Sequence, residues 1–228
     1  MRCLAIAQAW HDAGGNVTFA SAKLPESLRL RIQNEGFQTQ SITADAGSVA
    51  DAAQLLDTAA KCGATAIIVD GYTFDVDYHA QIANTSFTSL VIDDNSHLAR
   101  YSSDFVLNQN AAVTSLMYPD CSSQTDLLLG TSYALLRREF LVGASKQPEA
   151  RQRSRRILVT LGGADSGNVT AKVIEGLQLL AAFEVTVRVI VGSMNPNRDS
   201  IAEHVGSDMR FKMLQDVADM SEHYRWAD

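Results

Sequence analysis

The chain has 228 residues, of which 46% are hydrophobic and 20% are charged, so it can form the core of one large or two modest α/β domains. Its formal net charge of −7 disfavours nucleic acid and anionic membrane surfaces as partners, because their phosphate groups repel an acidic chain. No apolar run approaches the roughly 20 residues that a membrane-spanning helix needs.

The first part of the chain alternates helix-period and strand-like segments, which is typical of an α/β domain with a largely parallel sheet. Apolar residues at helical spacing predict helices at 2–13, 24–35, 49–62, 75–83 and 133–140. Short apolar segments predict strands at 17–21, 37–42, 66–69, 89–92, 105–107 and 127–129. The segment at 66–69 is continuously apolar, as expected of a strand that is buried on both faces.

The apolar pattern stops between residues 144 and 156, where four arginines, a proline and several polar residues predict an interdomain linker. The alternative interpretation of the arginines is a phosphate-binding patch. A second α/β unit follows. Its predicted strands are 157–161, 185–191 and 210–212, and its predicted helices are 169–180, 197–204 and 217–226. The predicted divisions are a domain at 1–143, the linker at 144–156 and a domain at 157–228.

Both ends of the chain differ from those of a whole doubly wound protein, which normally opens with a strand in the middle of its sheet. This chain opens with a helix, and its last residues, Ala227 and Asp228, resemble the lead into another strand. We therefore expect a piece of a longer protein, with a first domain that lacks its opening strand and an incomplete second domain. The absent strand predicts a gap or a strained closure between the strands at 17–21 and 66–69, and either aggregation or a weak, non-cooperative melt of the chain expressed alone.

The three cysteines, Cys3, Cys62 and Cys121, are far apart and odd in number, which predicts neither a disulfide framework nor a metal site. The N-terminus has one early positive charge and no small-residue cleavage site, unlike a secretory signal peptide. We expect a cytoplasmic protein with free thiols and with no metal or other cofactor. The sequence does not predict the oligomeric state.

Candidate site residues follow the predicted strands, because ligands of open parallel sheets bind beyond the carboxyl ends of strands. Asp70 and Tyr72 end the strand at 66–69, where a carboxylate and a phenol can orient a sugar hydroxyl or a water molecule. The alternative is ordinary turn chemistry, with the ring of Tyr72 packed against its neighbours.

Polar side chains also end the next two strands. Asp93 and Asp94, with His97 nearby, could bind Mg²⁺ or shape a polar pocket. The alternative is that one carboxylate caps the turn and the other is solvated. Asn108 begins a run of three amides that could recognise a polar ligand or form an ordinary loop. No histidine pairs with a serine or cysteine in a nucleophile motif, which excludes acyl transfer.

A glycine-rich turn follows the first strand of the second unit. Gly162 and Gly163 would let the backbone approach a phosphate or sugar closely, and the next helix points free N–H groups there. The spacing is not that of a dinucleotide-binding motif. The alternative is a plain turn in which Asp165 or Asn168 caps the helix.

Several segments together resemble a known enzyme family. The opening MRCLAIA is similar to the end of a G-x-G-H-x-M-R-C-L-x-L-A motif, and Asp70-Gly71-Tyr72 to a D-x-Y strand end. Similar motifs are found at 92–94 (IDD), 104–110, 130–140 (LLG-x-x-YALLR-x-EF) and 161–168 (GG-x-D-x-x-N). The family consists of the hydrolases of pseudaminic acid biosynthesis, which remove UDP from a UDP-activated diacetamido-trideoxy sugar.

The resemblance implies the α/β fold called GT-B, with two Rossmann-like parallel-sheet domains, UDP held mainly by the second domain, and a water molecule that attacks the anomeric carbon with inversion. It implies catalytic roles for Asp70 and Tyr72. The substrate-binding residues it implies are Arg2, Asp94, Asn108, Gly162, Gly163, Asp165 and Asn168.

Two parts of the family's site have no counterpart in the chain. The histidine thought to act as general base would lie two positions before Met1, and the segment that holds uridine would follow Asp228. We therefore expect the chain to be inactive by itself. Two alternatives to the hydrolase are a GT-B glycosyltransferase that uses a UDP-sugar donor and a non-catalytic protein that binds sugar nucleotides.

Overall fold

The computed structural model describes residues 1–141, 155–180, 184–192, 195–215, 217 and 219–228. The chain divides into two compact units, Met1–Arg138 and Glu139–Asp228. Residues 144–154 of the predicted linker at 144–156 lie outside the described residues. Arg156, its last residue, begins the first strand of the second unit.

The first unit alternates helices and strands in the predicted order. Its helices are α1 (Arg2–Asp12), α2 (Glu26–Asn34), α3 (Val49–Lys61) and α4 (Val76–Ala83). Its strands are β1 (Thr18–Ser21), β2 (Gln38–Ser41), β3 (Ala66–Asp70), β4 (Thr88–Ile92), β5 (Phe105–Asn108) and β6 (Asp126–Leu129). The short helix α5 (Arg138–Leu141) begins at the last residue of the first unit and continues into the second.

The strands of the first unit form two separate parallel sheets. One contains β1 and β2, and the other has the order β3-β4-β5-β6. The predicted gap between the strands at 17–21 and 66–69 is confirmed, since no ladder among the described residues joins β1 to β3.

Side-chain caps and apolar stripes explain the helices that flank β3. Ser48 caps α3 by accepting a hydrogen bond from the backbone N–H of Asp51, and Asp75 caps α4 through the N–H of Tyr78. The apolar faces of the two helices bury Ile67 and Val69 of β3. Each large side chain so buried contributes roughly 1.5–3 kcal/mol to stability.

Two predictions about local structure are wrong. The strand at 66–69 is buried on one face only, because Ile68 is 40% exposed and belongs to no hydrophobic cluster of the described residues. The sequence predicted one helix at 133–140. The structure instead has a turn of 3-10 helix at Thr131–Tyr133, then an irregular stretch, and then α5. Tertiary hydrogen bonds take the backbone N–H groups there, from Leu135 to Gln109 and from Arg138 to Gln8, both at 2.8 Å.

The second unit is a three-stranded parallel sheet with helices between its strands. Its elements are β7 (Arg156–Thr160), α6 (Val169–Gln178), β8 (Thr186–Val191), α7 (Arg198–Val205), β9 (Phe211–Gln215) and α8 (Ser221–Trp226). The strand order is β7-β8-β9. Val187, Val189 and Val191 on the central strand pack with Ile174 and Ile201 to form the core. Among the described residues of both units, no helix has the length and apolar character to span a membrane.

Candidate functional site

Three charged side chains meet at the carboxyl ends of β3 and β4. Arg2 begins α1, and its guanidinium lies between Asp70, the last residue of β3, and Asp94, two residues beyond β4. Its Nη2 is 2.5 Å from Oδ1 of Asp70, and its Nη1 is 2.8 Å from Oδ2 of Asp94. Because β3 and β4 are adjacent and parallel, the two carboxylates come to the same edge of the sheet.

Tyr72 joins this cluster through its hydroxyl group, which donates a hydrogen bond to Oδ1 of Asp94. The side chain is half exposed, so a ligand can reach it. The hydrogen bond to Asp94, followed by burial, raises the pKa of the phenol above its usual value. Tyr72 therefore stays protonated at neutral pH and can act as a hydrogen-bond donor.

The charges of the cluster are mutually stabilised. Burial alone would lower the pKa of the Arg2 guanidinium, but hydrogen bonds to Asp70 and Asp94 and the negative charge of Asp70 raise it. Burial alone would raise the pKa of Asp94, but hydrogen bonds from Tyr72 and Arg2 lower it. One cation and two anions leave a net negative site, which suits the hydroxyl groups of a sugar better than it suits a diphosphate.

Cys3 also contacts the cluster, with its Sγ 3.5 Å from Oδ2 of Asp70. Burial, followed by the negative charge of Asp70, raises the pKa of the thiol to about 12. A thiol that stays protonated is a poor nucleophile, so Cys3 is not the source of a covalent intermediate.

Asp93 organises the turn that follows β4 and is fully buried. Its carboxylate accepts hydrogen bonds from the backbone N–H groups of Asn95 at 2.9 Å and His97 at 3.1 Å, and from the hydroxyl of Tyr101. The Nδ1 atom of His97 is 3.0 Å from Oδ2 of Asp93. Burial would raise the pKa of Asp93, yet the hydrogen bonds from Tyr101 and Asn95 lower it.

The sequence singled out His97 only by its place after a strand and did not include it among the site residues. The structure adds that its ring lies edge-on to Tyr72, with 5.3 Å between ring centroids. The described residues contain no group of three or more His, Cys, Asp or Glu side chains arranged to hold a metal ion.

Asn108 lies at the end of β5 but is completely buried. Its Nδ2 donates to the hydroxyl of Tyr118 at 2.7 Å, and its Oδ1 accepts from the backbone N–H of Asn110 at 3.0 Å. The Tyr118 hydroxyl in turn donates to the carbonyl of Asp93 at 2.7 Å. Because Asn108 is fully buried and its amide bonds link the segments that follow β4 and β5, the geometry makes it a residue that holds the strand ends, and its predicted binding role stays a prediction.

The glycine turn of the second unit leaves open space where a ligand could approach. Gly162 has a positive φ of 83°, which favours glycine. A Cβ placed on Gly163 would meet nothing within 4 Å. On the other side, a Cβ on Gly192, which follows β8, would lie 2.7 Å from both Cα and O of Gly163. The backbone of Gly163 is therefore packed against Gly192, and its Cβ position is open.

Asp165 caps α6, one of the two possibilities that the sequence raised. Its carboxylate accepts hydrogen bonds from the backbone N–H groups of Val169 at 2.9 Å and Thr170 at 3.0 Å. Asn168 has a left-handed backbone with a φ of 49°, donates from Nδ2 to Ser200 at 3.3 Å and makes no side-chain cap. The carboxylate of Asp165 thus already accepts hydrogen bonds from backbone N–H groups that could otherwise donate to a phosphate. Roles for Asp165 and Asn168 in ligand binding stay predictions.

The predicted site residues form two groups, one in each unit. The first unit brings Arg2, Asp70, Tyr72 and Asp94 into one connected cluster. The second unit holds the glycine turn and its capped helix. Position at strand ends singled out Asp70, Tyr72, Asp94 and the glycine turn as candidates, whereas Arg2 came from the family resemblance, and the hydrogen bonds within the groups required the fold.

Comparison with known proteins identifies the fold. No family model and no curated protein matches the chain. The crystal structure of MurG from Acinetobacter baumannii matches 99% of this chain and 65% of its own, with a TM-score of 0.53 and 12% identity. A glycosyltransferase from Rickettsia africae ESF-5 matches 100% of this chain and 67% of its own, with a TM-score of 0.58 and 12% identity.

The chain thus spans about two thirds of the length of these two structures. At 12% identity the likeness concerns the fold alone. Neither comparison concerns the hydrolase family that the sequence motifs resemble, so that activity stays a prediction. The parallel sheets, their alternation with helices and the two structural matches together establish that this chain has the GT-B fold.

Proposed function

We propose that the chain belongs to an enzyme that transfers a glycosyl group from a UDP-sugar to an acceptor hydroxyl. The observation that carries this proposal is the likeness of nearly the whole chain to a structure described as a glycosyltransferase. The cluster of Arg2, Asp70, Tyr72 and Asp94 at the ends of β3 and β4 supports it, because ligands of parallel sheets bind at that edge.

Each group of residues has a separate role in this proposal. The carboxylates of Asp70 and Asp94 accept hydrogen bonds from sugar or acceptor hydroxyls, and the Tyr72 hydroxyl donates one. Arg2 holds the two carboxylates in place and limits their mutual repulsion. Considered by itself, the second unit offers backbone amides of the turn at Gly162 and Gly163 as donors to a diphosphate. As leaving group, the diphosphate takes the electron pair of its bond to the anomeric carbon.

Hydrolysis is the second candidate, with water in place of the acceptor hydroxyl. It is favoured by one observation: four of the residues that carry the resemblance to the hydrolase family form one connected cluster. These residues are Arg2, Asp70, Tyr72 and Asp94. In both candidates the substrate is a UDP-sugar and UDP is released; hydrolysis also releases the free sugar.

The test uses the protein expressed from its complete reading frame, incubated with a panel of UDP-sugars in water enriched in ¹⁸O. A coupled assay measures UDP release, and mass spectrometry identifies the sugar product. Release that requires an added acceptor identifies a transferase, whereas ¹⁸O in the free sugar identifies a hydrolase. Calorimetric binding of UDP-sugars without turnover would assign the chain to non-catalytic binding proteins, and the proposal would be abandoned.

A further inference from the structure

The backbone of Asp94 is held on both sides by side chains that follow β5. The carbonyl oxygen of Asp93 accepts a hydrogen bond from the Tyr118 hydroxyl at 2.7 Å. The carbonyl oxygen of Asp94 itself accepts one from Nδ2 of Asn110 at 3.1 Å. Each peptide group is planar, and the Cα of Asp94 lies between these two. The two hydrogen bonds therefore restrict the direction in which the Asp94 carboxylate points.

Asn108 connects these two donors to each other. Its Nδ2 donates to the hydroxyl of Tyr118, and its Oδ1 accepts from the backbone N–H of Asn110. Asn108 is completely buried and is the last residue of β5, so the arrangement is anchored in the sheet. The Tyr118 hydroxyl accepts from Asn108 and gives its one hydrogen to the carbonyl of Asp93, which fixes its orientation.

The two ends of the Asp94 residue are held by different groups. Arg2 and Tyr72 hold its carboxylate, and both belong to the cluster at which we place the sugar. Asn110 and Tyr118 instead hold its backbone, from outside that cluster. A substrate hydroxyl that takes the place of the Tyr72 hydroxyl on the carboxylate therefore leaves the hold on the backbone intact.

We propose that Asn110 is a positioning residue that keeps the carboxylate of Asp94 directed at the substrate. This inference rests on the proposed function, in which that carboxylate accepts a hydrogen bond from a sugar or acceptor hydroxyl. Asn110 acts through the backbone of Asp94 and does not itself contact the substrate. A carboxylate held in this way needs little reorganisation when the substrate binds, and a group that is already in place lowers the barrier to reaction.

The test compares Asn110→Ala with the wild type, again expressed from the complete reading frame. The variant loses the donor to Asp94, and its melting temperature should change little because Asn110 is exposed. We expect kcat/KM for UDP release to fall roughly 10-fold, since a small displacement of a group at the reacting centre has effects of that order. Asn34→Ala, at the exposed end of α2, is the matched control and should keep the wild-type value.

A double-mutant cycle with Asp94→Ala shows whether Asn110 acts through Asp94. In the Asp94→Ala background, Asn110→Ala should lower kcat/KM by less than about 2-fold, because no carboxylate remains to be positioned. An equal loss in both backgrounds would show that Asn110 acts independently of Asp94, as a direct contact with the substrate would, and the inference would be overturned. A wild-type kcat/KM in Asn110→Ala would overturn it as well.

A second measurement follows the same cycle without turnover. The hydrogen bond to Asp94 raises the pKa of Tyr72, so a carboxylate with more freedom to turn should let this pKa fall towards the ordinary tyrosine value of about 10. NMR of ¹³C-labelled tyrosine measures it, with Tyr72→Phe to assign the signal. An unchanged Tyr72 pKa in Asn110→Ala would overturn the inference even if the rate falls. Absence of UDP release from the wild type would instead overturn the proposed function, and this inference with it.

Discussion

Asp94 accepts hydrogen bonds from two different donors, Tyr72 and Arg2. A change at Tyr72 removes one donor and leaves the ion pairs of Arg2 with Asp70 and Asp94 intact. The effect of the phenolic hydroxyl can therefore be measured without dismantling the cluster.

Tyr72→Phe is expected to slow UDP release by roughly 10- to 1000-fold, because loss of a positioned polar group commonly has an effect of that size. The melting temperature should change little, since the hydroxyl lies on a half-exposed side chain. Steady-state rates of UDP release check the prediction, with the exposed Tyr133, changed in the same way, as control. Unchanged turnover would assign Tyr72 to packing against His97.

His79 makes the stability of the first unit dependent on pH. Its side chain is buried, its Nε2 has no hydrogen-bond partner among the residues that the structure describes, and its pKa is lowered from 6.5 to about 4, mainly by burial. As pH falls below 6.5, the unfolded chain takes up this proton before the folded chain does. The contribution of His79 to the free energy of unfolding should therefore be constant well above that pH and fall progressively by up to about 3 kcal/mol towards pH 4.

Urea unfolding followed by circular dichroism at several pH values checks this prediction. His79→Gln cannot take up the proton, so its stability should change less than that of the wild type between pH 6.5 and 4. His11→Gln is the control, because that side chain is exposed. Parallel pH curves for the wild type and His79→Gln would show that His79 is not the group responsible.

At the scale of elements, the turn after β7 and the end of β8 form a matched pair of glycines. A Cβ at Gly192 would lie 2.7 Å from Cα and O of Gly163, whereas a Cβ at Gly163 would meet nothing within 4 Å. Substitution by alanine therefore tests backbone packing at Gly192 and tests whether a ligand approaches the backbone at Gly163.

Gly192→Ala is expected to destabilise the protein by about 1–3 kcal/mol, because two backbones must separate. Gly163→Ala should leave stability unchanged and weaken UDP binding by about 1–3 kcal/mol, the cost of one lost or unsatisfied hydrogen bond. Thermal melts and calorimetry with UDP measure the two effects. Wild-type UDP affinity in Gly163→Ala would remove this turn from the site.

At the scale of the whole molecule, the two sheets of the first unit differ in how well they are buried. The β1–β2 sheet has two strands whose residues are all exposed or partly buried, whereas Val106, Leu107 and Asn108 of β5 are fully buried in a four-stranded sheet. A sheet of two strands has few partners to stabilise it.

Amide hydrogen exchange should therefore be faster in β1 and β2 than in β4 and β5, with protection lost at lower urea concentration. Mass spectrometry of proteolytic peptides from these strands measures this difference within one sample, so β5 serves as an internal control. Equal protection in the two sheets would show that the first unit unfolds as one cooperative body.

Periodicity in the sequence was sufficient to predict the α/β class, the order of most elements and the strand ends at which Asp70, Tyr72 and Asp94 lie. Helical and strand spacing are local properties, and parallel sheets bring successive strand ends to one edge. The resemblance to GT-B proteins agrees with the fold found by comparison. The choice between hydrolysis and transfer did not follow from these patterns.

Contacts between residues distant in the sequence decided the rest. The helix predicted at 133–140 does not form, because backbone N–H groups in this segment donate instead to the side chains of Gln8 and Gln109. Tertiary hydrogen bonds here outweigh a weak local preference for helix. The sequence shows that Asn108 carries an amide but not whether that amide faces a ligand or the protein interior. The structure buries it beside Tyr118, where it holds the strand ends. The sequence by itself determined which polar residues reach the sheet edge, and only the tertiary structure decided which of them pair with one another and which remain open to a ligand.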